Sequence, residues 1–142
     1  MREHPHVELL RKLYADLTKI GDYAADDIIY HVAERDLQAD VSILHGKKKV
    51  TEREHLLAKA TSGTLVADID WIGANEHFGT VMGVFRAKAP DAAESNFAMP
   101  FCGLWRFGVD GRITHHWQNA YDPEALIRFM AGADQLVDYG GE

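Results

Sequence analysis

The sequence predicts an α+β fold, with helices packed on one face of a curved antiparallel sheet, and three observations point to it. Apolar residues recur at helical spacing early in the chain, β-branched and aromatic runs split by turn-formers fill most of the remainder, and the helical runs precede the strand runs. At 142 residues, 46% hydrophobic and 26% charged, the chain reads as a single domain over 1–142 with a core of about 6–131 and a frayed tail. The uncovered part of such a sheet must stay open or enclose a pocket.

Pro5 opens a helix in which Val7, Leu10, Tyr14 and Leu17 recur at steps of three and four, with Leu9, Leu13 and Ile20 widening the stripe and Gly21 after the last turn. Ala24, Ala25, Ile28, Ile29 and Val32 continue at helical intervals, predicting a second helix over 22–34. From Leu37 the period falls to two: Ala39, Val41 and Ile43 alternate with Gln38, Asp40, Ser42 and Leu44, a strand with one polar face. His45, Gly46 and three lysines form a turn. Thr51-Glu52-Arg53-Glu54 then reads as a capping box that starts a third helix running to about Ala60, ended by Ser62-Gly63. Leu65–Ile72, Glu76–Lys88, Ser95–Phe107 and Arg112–Tyr121 predict four strands in a meander, with hairpin turns at Ala74-Asn75 and Asp110-Gly111. Asp122-Pro123 caps a short last helix in which Leu126, Phe129 and Met130 share a face, ending near Gly132.

With 15 basic and 22 acidic residues the formal charge is −7, which disfavours nucleic acid and anionic membranes as partners. Cys102 is the sole cysteine and reads as a small core residue, so no disulfide framework is expected. No window approaches the ~18 to 20 apolar residues of a membrane span, and the N-terminus has no long apolar stretch, so the expected location is the cytoplasm. The eight histidines show no zinc-type spacing, and adjacent His115 and His116 point to opposite strand faces. Neither a metal nor a cofactor is expected.

The element order, Leu13-Tyr14 followed by Gly21-Asp22, His45-Gly46 before the third helix, and Trp105-Arg106-Phe107 followed by Asp110-Gly111-Arg112-Ile113 and His116-Trp117 resemble one superfamily over about residues 6–131. It is the nuclear transport factor two-like superfamily, in particular its SnoaL-like and ketosteroid-isomerase-like branch. The resemblance implies a cone-shaped, curved antiparallel or mixed sheet wrapped around the N-terminal helices, enclosing an apolar cavity. It also implies homodimerisation through the outer sheet face, and a cofactor-independent isomerase, cyclase or dehydratase for a small hydrophobic carbonyl-bearing or cyclic molecule. The alternative is a non-catalytic small-molecule-binding or dimerisation domain of the same fold, because fold does not settle chemistry.

By that resemblance Tyr14, seven residues before Gly21, is the donor to a substrate oxyanion, and Asp40 is the general base. A third element, a protonated acid two residues before an inward aromatic, is replaced here by Gly103 ahead of Trp105. The last-strand acid of the related cyclases and epoxide hydrolases falls on Gln118, which cannot take a proton, so epoxide hydrolysis ranks third. Alternation puts His116 on the face of Gln118, where it is the group expected to titrate near physiological pH and to substitute for that acid. Trp105, Phe101 and Trp71 are assigned with Gln118 to the substrate-binding wall of a ring-sized chamber. The plainer alternatives are core packing for the aromatics, a rim hydroxyl for Tyr14, a solvated strand position for Asp40 and a satisfied sheet histidine for His116.

Overall fold

Pro5 begins helix α1 (Pro5–Ala15) in the computed structural model, which describes residues 3–37, 43–88 and 96–130. His4 caps the helix by accepting the His6 amide on its ring nitrogen, and Val7, Leu10, Leu13 and Tyr14 form the buried stripe that their spacing predicts. The helix ends before the predicted Ile20. Asp16 is extended, and its carboxylate accepts from the Thr18 amide and hydroxyl, so the chain turns into a 3-10 segment over Leu17–Asp22.

The predicted helix over 22–34 is instead strand β1 (Ala24–His31). Ile28, Tyr30 and Val32 are buried while Ile29 and His31 are partly exposed, a period of two that the coincidental helical spacing of Ala24, Ile28 and Val32 conceals. The pairing of β1 with β6 carries an irregularity between Ala24 and Ile29. Of the predicted strand over 37–44, the described residues show β2 (Ile43–His45) and Leu37 in a turn; the positions from Gln38 to Ser42, Asp40 among them, fall outside the described residues. Helix α2 (Lys47–Ala60) is capped at Gly46, five residues ahead of the predicted cap Thr51, so Thr51 is an interior helical residue.

Strands β3 (Val66–Ala74), β4 (Phe78–Lys88), β5 (Asn96–Phe107) and β6 (Ile113–Ala120) follow the predicted meander closely. Gly111, at φ 81°, supplies the left-handed residue of the β5–β6 hairpin. A short helix α3 covers residues 123–130. The sheet order is β2-β1-β6-β5-β4-β3, with β1 parallel to β6 and the other described pairs antiparallel, so the sheet is mixed and open. Pro100 causes no bulge: β4 and β5 stay in register past its pairing with Val84. Its carbonyl accepts from Tyr121 just beyond the end of the β6 ladder, so its missing amide faces a side where that ladder has stopped.

Leu10, Leu13, Tyr14 and Ile20 press on Ile28, Val81, Trp105, Phe107 and Ile113, forming the main core between the N-terminal segment and the inner sheet face. A second cluster of Leu57, Met99, Leu126 and Met130 joins α2 and α3 to the far end of β5. Between them, Arg53 on α2 donates to both carboxylate oxygens of Glu34 at 2.8 and 2.9 Å, tying the helix to the turn after β1. The Glu34 side chain is 2% exposed and that of Arg53 9%, so each charge depends on the other for solvation lost on folding.

Removing one member strands a buried charge. Glu34→Ala is expected to lower unfolding free energy by ~3–5 kcal/mol in urea titration, while the double variant Glu34→Leu with Arg53→Met recovers most of that loss.

Candidate active site

The two core clusters do not quite meet, and a cavity of about 40 Å³ lies between them. Its wall is largely apolar, with Leu57, Phe85, Phe97, Met99, Phe101 and Leu126 prominent. Into it face Tyr14 from α1, Glu54 from α2, Trp105 from β5, and His116 and Gln118 from β6.

The position of Tyr14 depends on Gly103. A β-carbon at residue 103 would collide with the Tyr14 hydroxyl and lie 3.1 Å from the His116 ring and 3.2 Å from the Trp105 indole nitrogen. Tyr14 therefore occupies the space that a side chain on β5 would otherwise take. Its ring stacks on Phe101 at 5.5 Å and meets the Trp105 ring edge-on. The Trp105 indole N–H donates to the Tyr14 oxygen at 3.1 Å. Because indole nitrogen can only donate, the tyrosine oxygen is the acceptor and its own proton is free to be given to a third atom. Burial pushes the Tyr14 ionisation far above its ordinary value, so it remains a donor.

His116 lies flat against Trp105, with ring centroids 3.5 Å apart. Its Nδ1 is 3.1 Å from the Leu104 carbonyl, which can only accept, so Nδ1 carries the hydrogen and Nε2 keeps the lone pair. Burial, the largest influence, drops its pKa to about 3 despite that hydrogen bond. The histidine expected to titrate near neutrality is held neutral instead, as a fixed acceptor.

The group that does titrate there is Glu54. It is 6% exposed, and desolvation raises its pKa to about 8 against the opposing pull of Arg53. Arg53 cannot neutralise it, since its guanidinium is committed to Glu34. The neighbouring Tyr30 is 2% exposed, packs edge-on to Trp105 and His116, and among the described residues its hydroxyl has no partner. The charge of Glu54 acts on both Tyr14 and Tyr30, raising each ionisation further.

The structure thus brings Tyr14, Trp105, Phe101, His116 and Gln118 to one cavity. Trp71 lies elsewhere, 51% exposed and paired with Met82 on the outward sheet face, and Asp40 is outside the described residues. Sequence reasoning missed Glu54 because it sits within a run of charges read as a helix cap. The available signal was its place in the stripe Val50, Glu54, Leu57, whose other members are apolar. Among the described residues no three His, Cys, Asp or Glu side chains gather as metal ligands, and no helix is long and apolar enough to cross a membrane.

Comparison with known proteins gives a consistent picture. The family model for the SnoaL-like domain matches residues 12–116. No curated protein matches the chain in sequence. Among solved structures, Bal32a from a soil-derived mobile gene cassette superposes with a TM-score of 0.69 at 14% identity, covering 87% of this chain and 94% of its own. An NTF2-like protein of unknown function from Cytophaga hutchinsonii gives a TM-score of 0.63 at 16% identity, covering 81% and 95%. A protein from Catenulispora acidiphila with a ketosteroid isomerase-like fold, in complex with trimethylamine, gives 0.60 at 16% identity, covering 82% and 85%. At these identities the likeness is one of fold.

Three outcomes test the site. Gly103→Ala forces Tyr14 from its seat, with an expected loss of ~1–3 kcal/mol in stability, measured by denaturant unfolding. For Glu54, the folded value near 8 exceeds the unfolded value near 4.5, so the folded chain holds the extra proton and stability falls as pH rises between them. Glu54→Gln is expected to flatten the decline of Tm over about pH 5 to 8. His116 acts oppositely, losing stability as pH falls from 6.5 towards 3.

Proposed function

The chain belongs to the SnoaL-like family, and from that premise we propose that it is a cofactor-independent acid/base enzyme acting on a small, largely apolar carbonyl compound. The observation that carries this reading is Glu54, a carboxyl on the wall of an apolar cavity with a pKa of about 8, in the cavity that also holds a tyrosine oriented to donate. In the proposed step the Glu54 carboxylate takes a proton from the carbon beside the carbonyl. The C–H electron pair becomes the new C=C bond, the carbonyl π pair moves to oxygen, and Tyr14 donates to the resulting enolate oxygen. Glu54 then returns the proton: to the same carbon the result is hydrogen exchange alone, and to a conjugated carbon the net reaction is an isomerisation. His116 Nε2 accepts a hydrogen bond from a substrate donor, and Gln118, Trp105 and Phe101 hold the substrate.

Asp40 is the base that the family resemblance implies, and paired variants separate it from Glu54. A homodimer through the outer sheet face is proposed as well, supported by exposed Trp71 and Met82 on β3 and β4 and by the stack of His31 on Trp117 across β1 and β6.

One observation favours a second reading. A carboxyl ringed by Phe85, Phe101 and Trp105 in so small a space also suits a compact organic cation, held without chemistry, and trimethylamine is what the Catenulispora acidiphila protein holds. Calorimetric titration with trimethylammonium at about pH 9, where Glu54 is ionised, tests that reading directly.

The test of the enzyme is uptake of solvent deuterium beside the carbonyl of a panel of ketones, followed by NMR. The expected rate rises with pH and levels above about 8 as Glu54 ionises. Glu54→Gln should lower it ~10²–10⁴-fold and Tyr14→Phe ~10²–10³-fold, with Asp40→Asn near the parent rate. Full activity in Glu54→Gln with loss in Asp40→Asn assigns the base to Asp40 and overturns the role given to Glu54.

A further inference from the structure

A second chamber, of about 290 Å³, adjoins the first. Asp16, Thr18, Ala58, Gly63 and Ala67 belong to it alone, whereas Tyr14, Leu17, Glu54, Leu65 and Phe85 line both. The two spaces are thus consecutive, and the two groups assigned to proton transfer stand where they join. Their sizes differ greatly. The inner space, of about 40 Å³, is the tighter of the two. The outer space is several times larger and has an apolar side of Leu17, Leu65, Ala67 and Phe85. At Asp16 and Thr18 it is polar. The Asp16 carboxylate is exposed there, with one oxygen holding Thr18 and the other bonded to none of the described residues.

We infer that the two chambers form one divided substrate site, for an elongated aliphatic carbonyl compound. A short end, of methyl or ethyl size, enters the inner hollow, the carbonyl stops at Tyr14 and Glu54, and a longer chain lies in the outer chamber with a neutral hydrogen-bond donor reaching Asp16. The inference rests on the roles given to Glu54 and Tyr14 above and adds the class of substrate. The tighter inner space favours a slim group beside the carbonyl, and the wider outer one takes the longer chain. The carboxylate at the polar end selects against an anionic terminus.

A series of methyl ketones from four to ten carbons, plain or carrying a terminal hydroxyl or carboxylate, tests this by calorimetry on the full chain. Affinity is expected to rise about fourfold per added methylene until the outer chamber is full. The hydroxyl series should bind at least as tightly as the plain one, and the carboxylate series at least tenfold more weakly. Ala58→Leu, which narrows the outer chamber, should weaken the long ketones tenfold or more and leave butanone within twofold. Ala120→Leu, in the inner wall, should weaken every member. Affinity independent of chain length, tighter binding of cyclic ketones than of linear ones, or indifference of the long ketones to Ala58→Leu overturns the inference. Deuterium uptake measured on the same ketones keeps the two claims apart. Uptake without length dependence removes the divided site and leaves the acid/base reading standing; length dependence without uptake does the reverse.

Discussion

The missing side chain at residue 103 is the constraint on which the site depends. With only a hydrogen on that α-carbon, helix α1 can press Tyr14 against β5 until its hydroxyl reaches the Trp105 indole. That single contact makes the tyrosine oxygen an acceptor and leaves its proton for another atom. The same close approach packs Trp105 against His116 and aligns Tyr14 with Phe101, so one wall of the cavity consists of aromatic faces whose positions fix one another. A carboxylic acid at this place, as the related isomerases have it, is sterically incompatible with the tyrosine as it sits. The carboxyl comes from α2 instead.

Glu54 owes its protonation to the geometry of a helix. Successive residues project about 100° apart, so Arg53 and Glu54 cannot serve each other: the arginine turns to Glu34 and the glutamate enters the apolar cavity without a cation. Desolvation then prevails over the residual attraction of Arg53 and keeps the acid largely neutral at pH 7. The same medium keeps His116 neutral by refusing its positive form. Two groups of opposite charge type are discharged by one environment, and only the carboxyl is left near its titration point.

Much of this was legible in the sequence. The apolar stripe of α1 and the alternation of β3 to β6 give the fold and place Tyr14, Trp105 and His116, because in each case burial acts on a regular period. Strand β1 was not legible. Its apolar residues satisfy both periods, and its partner β6 lies far along the chain, so long-range pairing decided what local pattern left open. The start of α2 was hidden for a related reason: glycine at the cap and three lysines in the first turn are poor local signals, and packing of Val50, Leu57 and Ala60 forms the helix regardless. Glu54 was obscured by its type, since a glutamate among charges is ordinarily solvated. Its role follows from the neighbours one helical turn away.

Pro100 has a consequence for how the molecule keeps to itself. Among the described residues the β5–β6 ladder ends at Phe101 and Ala120, with the Tyr121 amide donating to the Pro100 carbonyl just past it, and free backbone beyond such an end is where a foreign strand could extend a ladder. An imino acid at that place withholds the donor such an intruder needs, and Phe129 of α3, stacked on Phe97 at 4.1 Å, roofs the adjoining segment. One residue thereby leaves the strand's pairing with β4 intact and offers no amide to a strand added on the other side.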